Sequence, residues 1–349
     1  MDHMKVLRRS FEITWHYRVL WVFGILLALT SGGGGGNGGG GSSSRTGNFS
    51  PTPGNQGQGA PFEGFRMPEI PPEVVSTLIV VGIALVCVII LLSIASVIVR
   101  YVAETALIRM VDDHEETGEK RSIRQGFRWG WSRTSLRLFA IDLLVFAPLV
   151  AGFILLLLLA LAPLLLWTTH SQAAGIVGTV TTIGLAILFI LLFIAVITAA
   201  SLLIHFFRRV CALEEVGVVE SIRRGYALVR RHLKDVFIMW LIMVGLTFGW
   251  TILMIPVVIM LLIVGVVLAG GPALLVGGLA GMASRGGPLP WLLGGAVGLP
   301  IFLLVLIVPL TVLGGLWQVY RSSVWTLTYR ELRALEAVQP APPMPAAAE

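Results

Sequence analysis

The chain has 349 residues, 56% of them hydrophobic and only 13% charged, with a net charge of +6 and a mean hydropathy of +0.88. A soluble domain carries roughly 25% charged residues, so this composition argues against a soluble globular enzyme and, equally, against disorder over most of the length. Cys87 lies in an apolar run and Cys211 in a basic connector, a pattern that makes neither a disulfide framework nor a zinc site.

The first apolar stretch, 15–30, is the weakest. Its uncharged run begins only at Val19, so Arg18 would have to snorkel to the headgroups. The long basic region before it, and the lack of a small-x-small cleavage site after it, favour a span over a secretory signal. Residues 31–73 are Gly, Ser, Asn, Pro and Gln, opening on the Gly32–Gly41 tract broken only by Asn37. Such a segment buries too little to offset its ordering entropy and reads as a disordered loop. No strand and helix flank the tract to fix it as a phosphate-binding loop. Five stronger stretches follow at 74–99, 143–167, 173–204, 236–269 and 291–317, set against the about 20 residues that cross a bilayer. Residues 270–290 read as a second, short Gly-rich loop and 336–349 as a disordered tail.

The cations sort to one side of these spans. Lys5, Arg8, Arg9 and Arg18 lie in the N-terminal segment, before the uncharged run; eight lie between the second and third, seven between the fourth and fifth, and Arg321, Arg330 and Arg333 follow the last. Only Arg45, Arg66 and Arg285 of the 25 fall on the other side. Basic residues resist translocation. The rich side is therefore read as cytoplasmic, both termini with it, in a multi-pass protein of the inner or plasma membrane. Six spans satisfy this; five would separate the termini.

An internal repeat runs through the connectors. Ser122-Ile123-Arg124-Gln125-Gly126-Phe127 matches Ser221-Ile222-Arg223-Arg224-Gly225-Tyr226 at an offset of 99, with a fainter copy at Leu7-Arg8-Arg9-Ser10-Phe11. Each copy precedes two spans, and each second span ends in a basic-aromatic exit: Arg100-Tyr101, Phe207-Arg208-Arg209 and Tyr320-Arg321. The predicted fold is all-α and polytopic, six transmembrane helices arranged as three parallel repeats of an interfacial helix plus a helical hairpin. The repeats are bounded at 1–111, 112–215 and 216–335.

In the third copy, Val219, Ile222, Tyr226, Val229, Leu233 and Val236 step by 3 and 4, predicting one apolar helix face. A basic amphipathic helix that runs into a span belongs in the interface, apolar face down. The second copy repeats this with Ile123, Phe127 and Trp131, with Trp129 beside them. The candidate contacts for anionic headgroups are therefore Arg124, Arg128, Trp129, Trp131, Arg223, Arg224, Arg230, Arg231 and Lys234. The competing reading makes these helices topological anchors.

Signals of chemistry are sparse. Asp142 is the only acid inside a span, close enough to its cytoplasmic end to meet Arg137 or water; a proton or cation site is the alternative. His205 and His170 have no second ligand nearby, and no metal or cofactor is expected. Glu214-Glu215, and Asp112-Asp113 with Glu115-Glu116, are expected to balance neighbouring arginines. Gly245-x3-Gly249 suggests a close helix approach, and Pro148, Pro163, Pro256, Pro300 and Pro309 suggest kinks.

The repeated phrase Ser-Ile-Arg-x-Gly-aromatic at 122–127 and 221–226, with the exits near Arg100 and Arg208, resembles the membrane domain attached to some glycerophosphodiester phosphodiesterases and related six-span bacterial families. The resemblance implies the membrane module without the soluble barrel that carries the phosphodiesterase carboxylates and metal. The reading that follows is a non-enzymatic membrane protein, lipid-interacting or scaffold-like, or the partner of a separately encoded enzyme. Its partners would be membrane lipids, anionic headgroups favoured, and no nucleic acid. The alternatives are a permease for an apolar or amphipathic solute and, least favoured, a membrane-embedded enzyme. In a cysteine-free background, Ala346→Cys should react only with cytoplasmic thiol reagent and Ser43→Cys only with external reagent. Labelling of both from one side would overturn the topology.

Overall fold

The computed structural model describes residues 2–30, 72–169, 172–283 and 289–338, and among these helix is the only regular structure. In chain order the helices are α1 (His3–His16), α2 (Val19–Thr30), α3 (Pro72–Thr117), α4 (Ile123–Gly130), α5 (Arg133–Leu161), α6 (Gln172–Glu214), α7 (Val218–Arg231), α8 (Leu233–Ala283) and α9 (Leu289–Val338). A 3-10 helix, Ala162–Thr169, follows α5 where Pro163 stands. The glycine tract 32–41 with its loop through residue 71, His170, and the tail beyond residue 338 lie outside the described residues. The chain divides into two compact units, residues 35–98 and the rest. In the 35–98 unit the described part is the apolar beginning of α3, exposed at nearly every side chain from Ile79 to Ile98.

Five helices are long and apolar enough to cross a membrane, those at 79–117, 133–165, 172–214, 233–282 and 290–337, with mean hydropathy of 2.7 to 3.2. No more than 11% of any of their apolar windows is buried within the protein. A water-soluble bundle turns its apolar faces inward. Helices that leave them outward need hydrocarbon as solvent, and a helix suits hydrocarbon because it satisfies its own backbone. The chain is a multi-pass membrane protein.

The stretch at 15–30 departs from the expected span. It breaks at Tyr17 and Arg18, so that α1 and α2 meet at 97°. The 12 residues of α2 make about 18 Å of helix at 1.5 Å per residue, so α2 alone is short of a hydrocarbon core of about 30 Å; taken with α1 as one bent span, the pair brings the candidate spans from five to six. Arg18, expected to snorkel from within a span, sits at the bend. The helix leans on α9 where Gly24 meets Gly315; a Cβ on either would fall within 3.0 Å of the other segment's backbone.

Other boundaries shift too. The second, fourth and sixth stretches do not stop at 99, 204 and 317. Their helices run on unbroken to Thr117, Glu214 and Val338, the last taking the first residues of the expected tail. These continuations hold the core. Ala103, Leu107 and Met110 of α3, Phe206 and Val210 of α6, and Val324, Trp325 and Leu332 of α9 are buried together with Leu20 and Phe23 of α2 and Met239 of α8. A second cluster joins Ile108, Leu138, Ile141, Phe207 and Cys211. Buried apolar packing therefore gathers at the basic end of the bundle.

The Gly-rich loop expected at 270–290 is mostly helix, since α8 reaches Ala283 and α9 starts at Leu289. Its glycines are contact points. A Cβ on Gly294 would stand 2.7 Å from the Ala273 carbonyl oxygen, and one on Gly277 3.0 Å from that of Pro290. The same antiparallel register stacks Trp250 on Trp317 at 5.2 Å. By contrast, Gly245 and Gly249 face open space, so the predicted close approach is made by other glycines. Gly24→Ala should lower stability by about 1–3 kcal/mol through overpacking, whereas Gly245→Ala leaves it unchanged or higher. Thermal unfolding in detergent measures both, and equal effects would contradict this packing.

Candidate functional site

The three copies of the repeated phrase form α1, α4 and α7, all at the basic end. Asp2 caps α1, accepting from the Lys5 amide at 3.2 Å. Ser122 caps α4 in a reciprocal box with Gln125. The matching Ser221 works differently: α7 starts earlier, with Gly217 as its N-cap, and the Ser221 hydroxyl donates to the Gly217 carbonyl at 2.8 Å. What the copies share is a small buried residue, Ser10, Gly126 or Gly225. A Cβ on Gly126 would meet Met110 Sδ at 2.5 Å, and one on Gly225 would meet Phe207 Cδ1 at 2.6 Å.

This contact rotates the helices relative to the expected apolar face. In α7 the protein-facing side is Ser221, Gly225, Leu228 and Val229. Of the predicted face, Val229 and Val236 are buried and Ile222 half-buried, but Val219 is 74% exposed, with Tyr226 and Leu233 also outward. Arg223 and Arg230 lie between them on the same outward stripe, by the i, i+4 spacing of a helix. In α4, Ile123, Phe127 and Trp131 are exposed, Trp131 to 72%, with exposed Arg124 and Arg128 beside them. Trp129 instead packs half-buried against the main core. Met4, Phe11 and Trp15 repeat the exposed stripe on α1, where Phe11 and Trp15 stack at 6.2 Å. Arg224 and Arg231 are engaged, with Glu220 and Glu336 at 2.6 and 3.2 Å. Glu220 and Glu214 hold the Arg224 guanidinium above the ordinary arginine range. No described residue pairs with Arg124, Arg128, Arg223, Arg230 or Lys234.

Asp142 is met by Arg208, not by Arg137. The Arg208 guanidinium donates from Nε to Asp142 Oδ1 at 3.0 Å, from Nη2 to Asp142 Oδ2, and from Nη1 to Glu104 Oε1 at 2.5 Å. Tyr101 adds its hydroxyl to Asp142 Oδ2 at 2.8 Å. The side chains of Arg208, Asp142 and Glu104 are 10%, 9% and 13% exposed, so α3, α5 and α6 share one nearly dry ion network. Arg137 instead donates to the Glu215 carbonyl at 2.6 Å, while Arg109 reaches the Ala212 carbonyl and the Glu215 carboxylate at 3.1 and 2.7 Å. Both cap the exit of α6, where cations oppose the helix dipole. They steady Glu215 in a left-handed conformation, φ 55°, that favours glycine.

The acidic pairs take arginine partners. Asp112 accepts from Arg330 at 2.5 Å, Asp113 from Arg121 at 2.8 Å and Glu115 from Arg9 at 2.5 Å. Glu214 accepts from Tyr329 at 2.6 Å and Arg224 at 2.9 Å. A cleft of about 340 Å³ opens among the ends of α3, α6 and α9, lined by Asp112, Glu116, Tyr329, Arg330 and Arg333. Among the described residues no three His, Cys, Asp or Glu come together as a metal set. Sequence reasoning missed Glu104, Arg208, Arg209, Arg321 and Trp325 as members of one region. The basic-aromatic exits carry the available signal, but along the sequence they mark the repeat and do not show which side chains face one another.

A family model described as "Family of unknown function (DUF7544)" matches residues 9–330. It brings no link to the membrane domains of glycerophosphodiester phosphodiesterases. No curated protein and no solved structure was found to match.

Removing one partner of a buried ion pair strands the others, at about 3–5 kcal/mol. Arg208→Met should lose that much stability in detergent, while Arg223→Met changes it by no more than about 0.5 kcal/mol. Chemical denaturation that ranks the two variants alike would remove the structural role assigned to Arg208.

Proposed function

The chain belongs to this family of unknown function, and we propose that it is a non-enzymatic membrane module of the bacterial inner membrane whose basic end engages anionic lipid headgroups. Both termini are cytoplasmic in this reading, and α1, α4 and α7 are the interfacial helices of three parallel repeats. The observation that carries it is the outward stripe on each of the three short helices, where exposed apolar or aromatic residues stand beside exposed cations. In water such a stripe would be an unpaid hydrophobic exposure; at a headgroup layer its rings and aliphatic side chains reach the acyl boundary. The cations meet phosphate there, each contributing about 1 kcal/mol near an anionic surface. The 97° bend between α1 and α2 supports the same placement, because a helix perpendicular to one entering the bilayer lies along its surface. The equivalent burial of Ser10, Gly126 and Gly225 supports the repeat. Against the proton- or cation-site alternative for Asp142, its carboxylate is already paired with Arg208 and accepts from Tyr101.

The full chain in nanodiscs should unfold at a higher temperature in phosphatidylglycerol than in phosphatidylcholine. Replacing Arg223, Arg230 and Lys234 by Gln should reduce the difference, as should about 1 M salt, which shortens the Debye length to about 3 Å. Equal stability in the two lipids would overturn the headgroup reading.

A further inference from the structure

Beside the Arg208 network lies a second group of buried polar side chains whose needs are left unmet. His205 and Arg209 stand four residues apart on α6, and Arg321 and Trp325 four residues apart on α9, so each pair shares a helix face. The faces meet: the His205 ring stacks on Trp325 at 5.0 Å and 13°, and Arg321 Nη2 approaches His205 Nε2 at 3.4 Å. An arginine can only donate, so Nε2 is the acceptor there and the imidazole is neutral.

Arg209 is 3% exposed. Its Nη groups donate to main-chain carbonyls, of His205 at 2.6 Å and of Ser322 at 3.2 Å, and its Nε has no partner among the described residues. Trp325 is 2% exposed and its indole N–H is likewise unpartnered. Among the described residues no carboxylate lies within ion-pair distance of Arg209 or Arg321, whereas Glu104 and Asp142 both bind Arg208. Three arginines therefore share two acids, and the surplus consists of a positive charge and two N–H donors, Arg209 Nε and the Trp325 indole, with no acceptor among the described residues. Buried charges are tolerated where an opposite charge and hydrogen bonds meet them, and a guanidinium fork suits the oxygens of a phosphate. The group lies where the apolar runs of α6 and α9 give way to their basic ends, the depth at which a spanning helix meets headgroup phosphates.

We propose that Arg209, Arg321, His205 and Trp325 form a site between α6 and α9 for one phosphate-bearing anion, either a lipid headgroup or free phosphate. Arg209 and Trp325 present N–H donors from the buried side and Arg321 closes the site from its half-exposed position. This site is separate from the outward stripes of α1, α4 and α7, so a loss of lipid preference at those helices leaves it standing.

The test uses the full chain in detergent. Native mass spectrometry reads retained phospholipid, and thermal unfolding of delipidated protein reads stabilisation by inorganic phosphate. Wild type should keep one anionic phospholipid per chain or gain stability with phosphate; the first identifies the source as lipid and the second as free anion. Arg321→Gln should weaken that binding at least tenfold while circular dichroism stays unchanged. The double variant Arg223→Gln, Arg230→Gln should bind as wild type does. If Arg321→Gln does not fold, Trp325→Phe keeps the ring against His205, removes only the N–H, and should weaken binding severalfold. Neither lipid nor phosphate bound by wild type overturns the proposal, as does wild-type binding by every folded variant of Arg321 and Trp325.

Discussion

A single guanidinium joins three of the long helices. Arg208 of α6 binds Asp142 of α5 through two nitrogens and Glu104 of α3 through a third, and Tyr101 completes the Asp142 carboxylate. Lipid-facing helices gain little from burying apolar surface against each other, because lipid tails are as apolar as leucine. Directional contacts between charges withdrawn from water therefore set where these helices meet. The apolar lengths of the same helices are largely uncovered, and the packed core lies at the level of the ion network and beyond it toward the helix ends.

Small residues do the complementary work. Gly24 and Gly315 bring α2 onto α9, and Gly294 and Gly277 hold α8 and α9 in one register. At Gly126 and Gly225 the short helices dock tightly enough that their outward sides are fixed. That docking leaves aromatic and cationic side chains together on the surface. The surface reading and the buried anion site thus rest on different parts of one end of the bundle, one formed by rotation of short helices and the other by the faces of α6 and α9.

Arginine has three distinct uses here. Arg208 is neutralised by carboxylates, Arg109 and Arg137 satisfy the exposed carbonyls at the end of α6, and Arg209 ends on carbonyls with one nitrogen unmet. The count of cations in a connector distinguishes none of these. Each depends on which acceptor the fold brings within about 3 Å.

The sequence by itself determined the membrane class and the five long apolar helices, because sustained hydropathy is a property of composition along the chain and needs no partner. It also located the short basic helices, since 3- and 4-residue spacing is local, and the nearby arginines that meet Asp113 and Glu214, whereas Asp112 and Glu115 found theirs in distant segments, at Arg330 and Arg9. Only the tertiary structure decided that 15–30 bends at Tyr17, that 270–283 is helix rather than loop, and that Asp142 answers Arg208 instead of Arg137. A glycine reads the same whether it opens a loop or admits a neighbouring backbone, and a carboxylate reads the same whatever helix lies opposite it. Residues 66 apart, as Asp142 and Arg208 are, become partners only when packing supplies the distance.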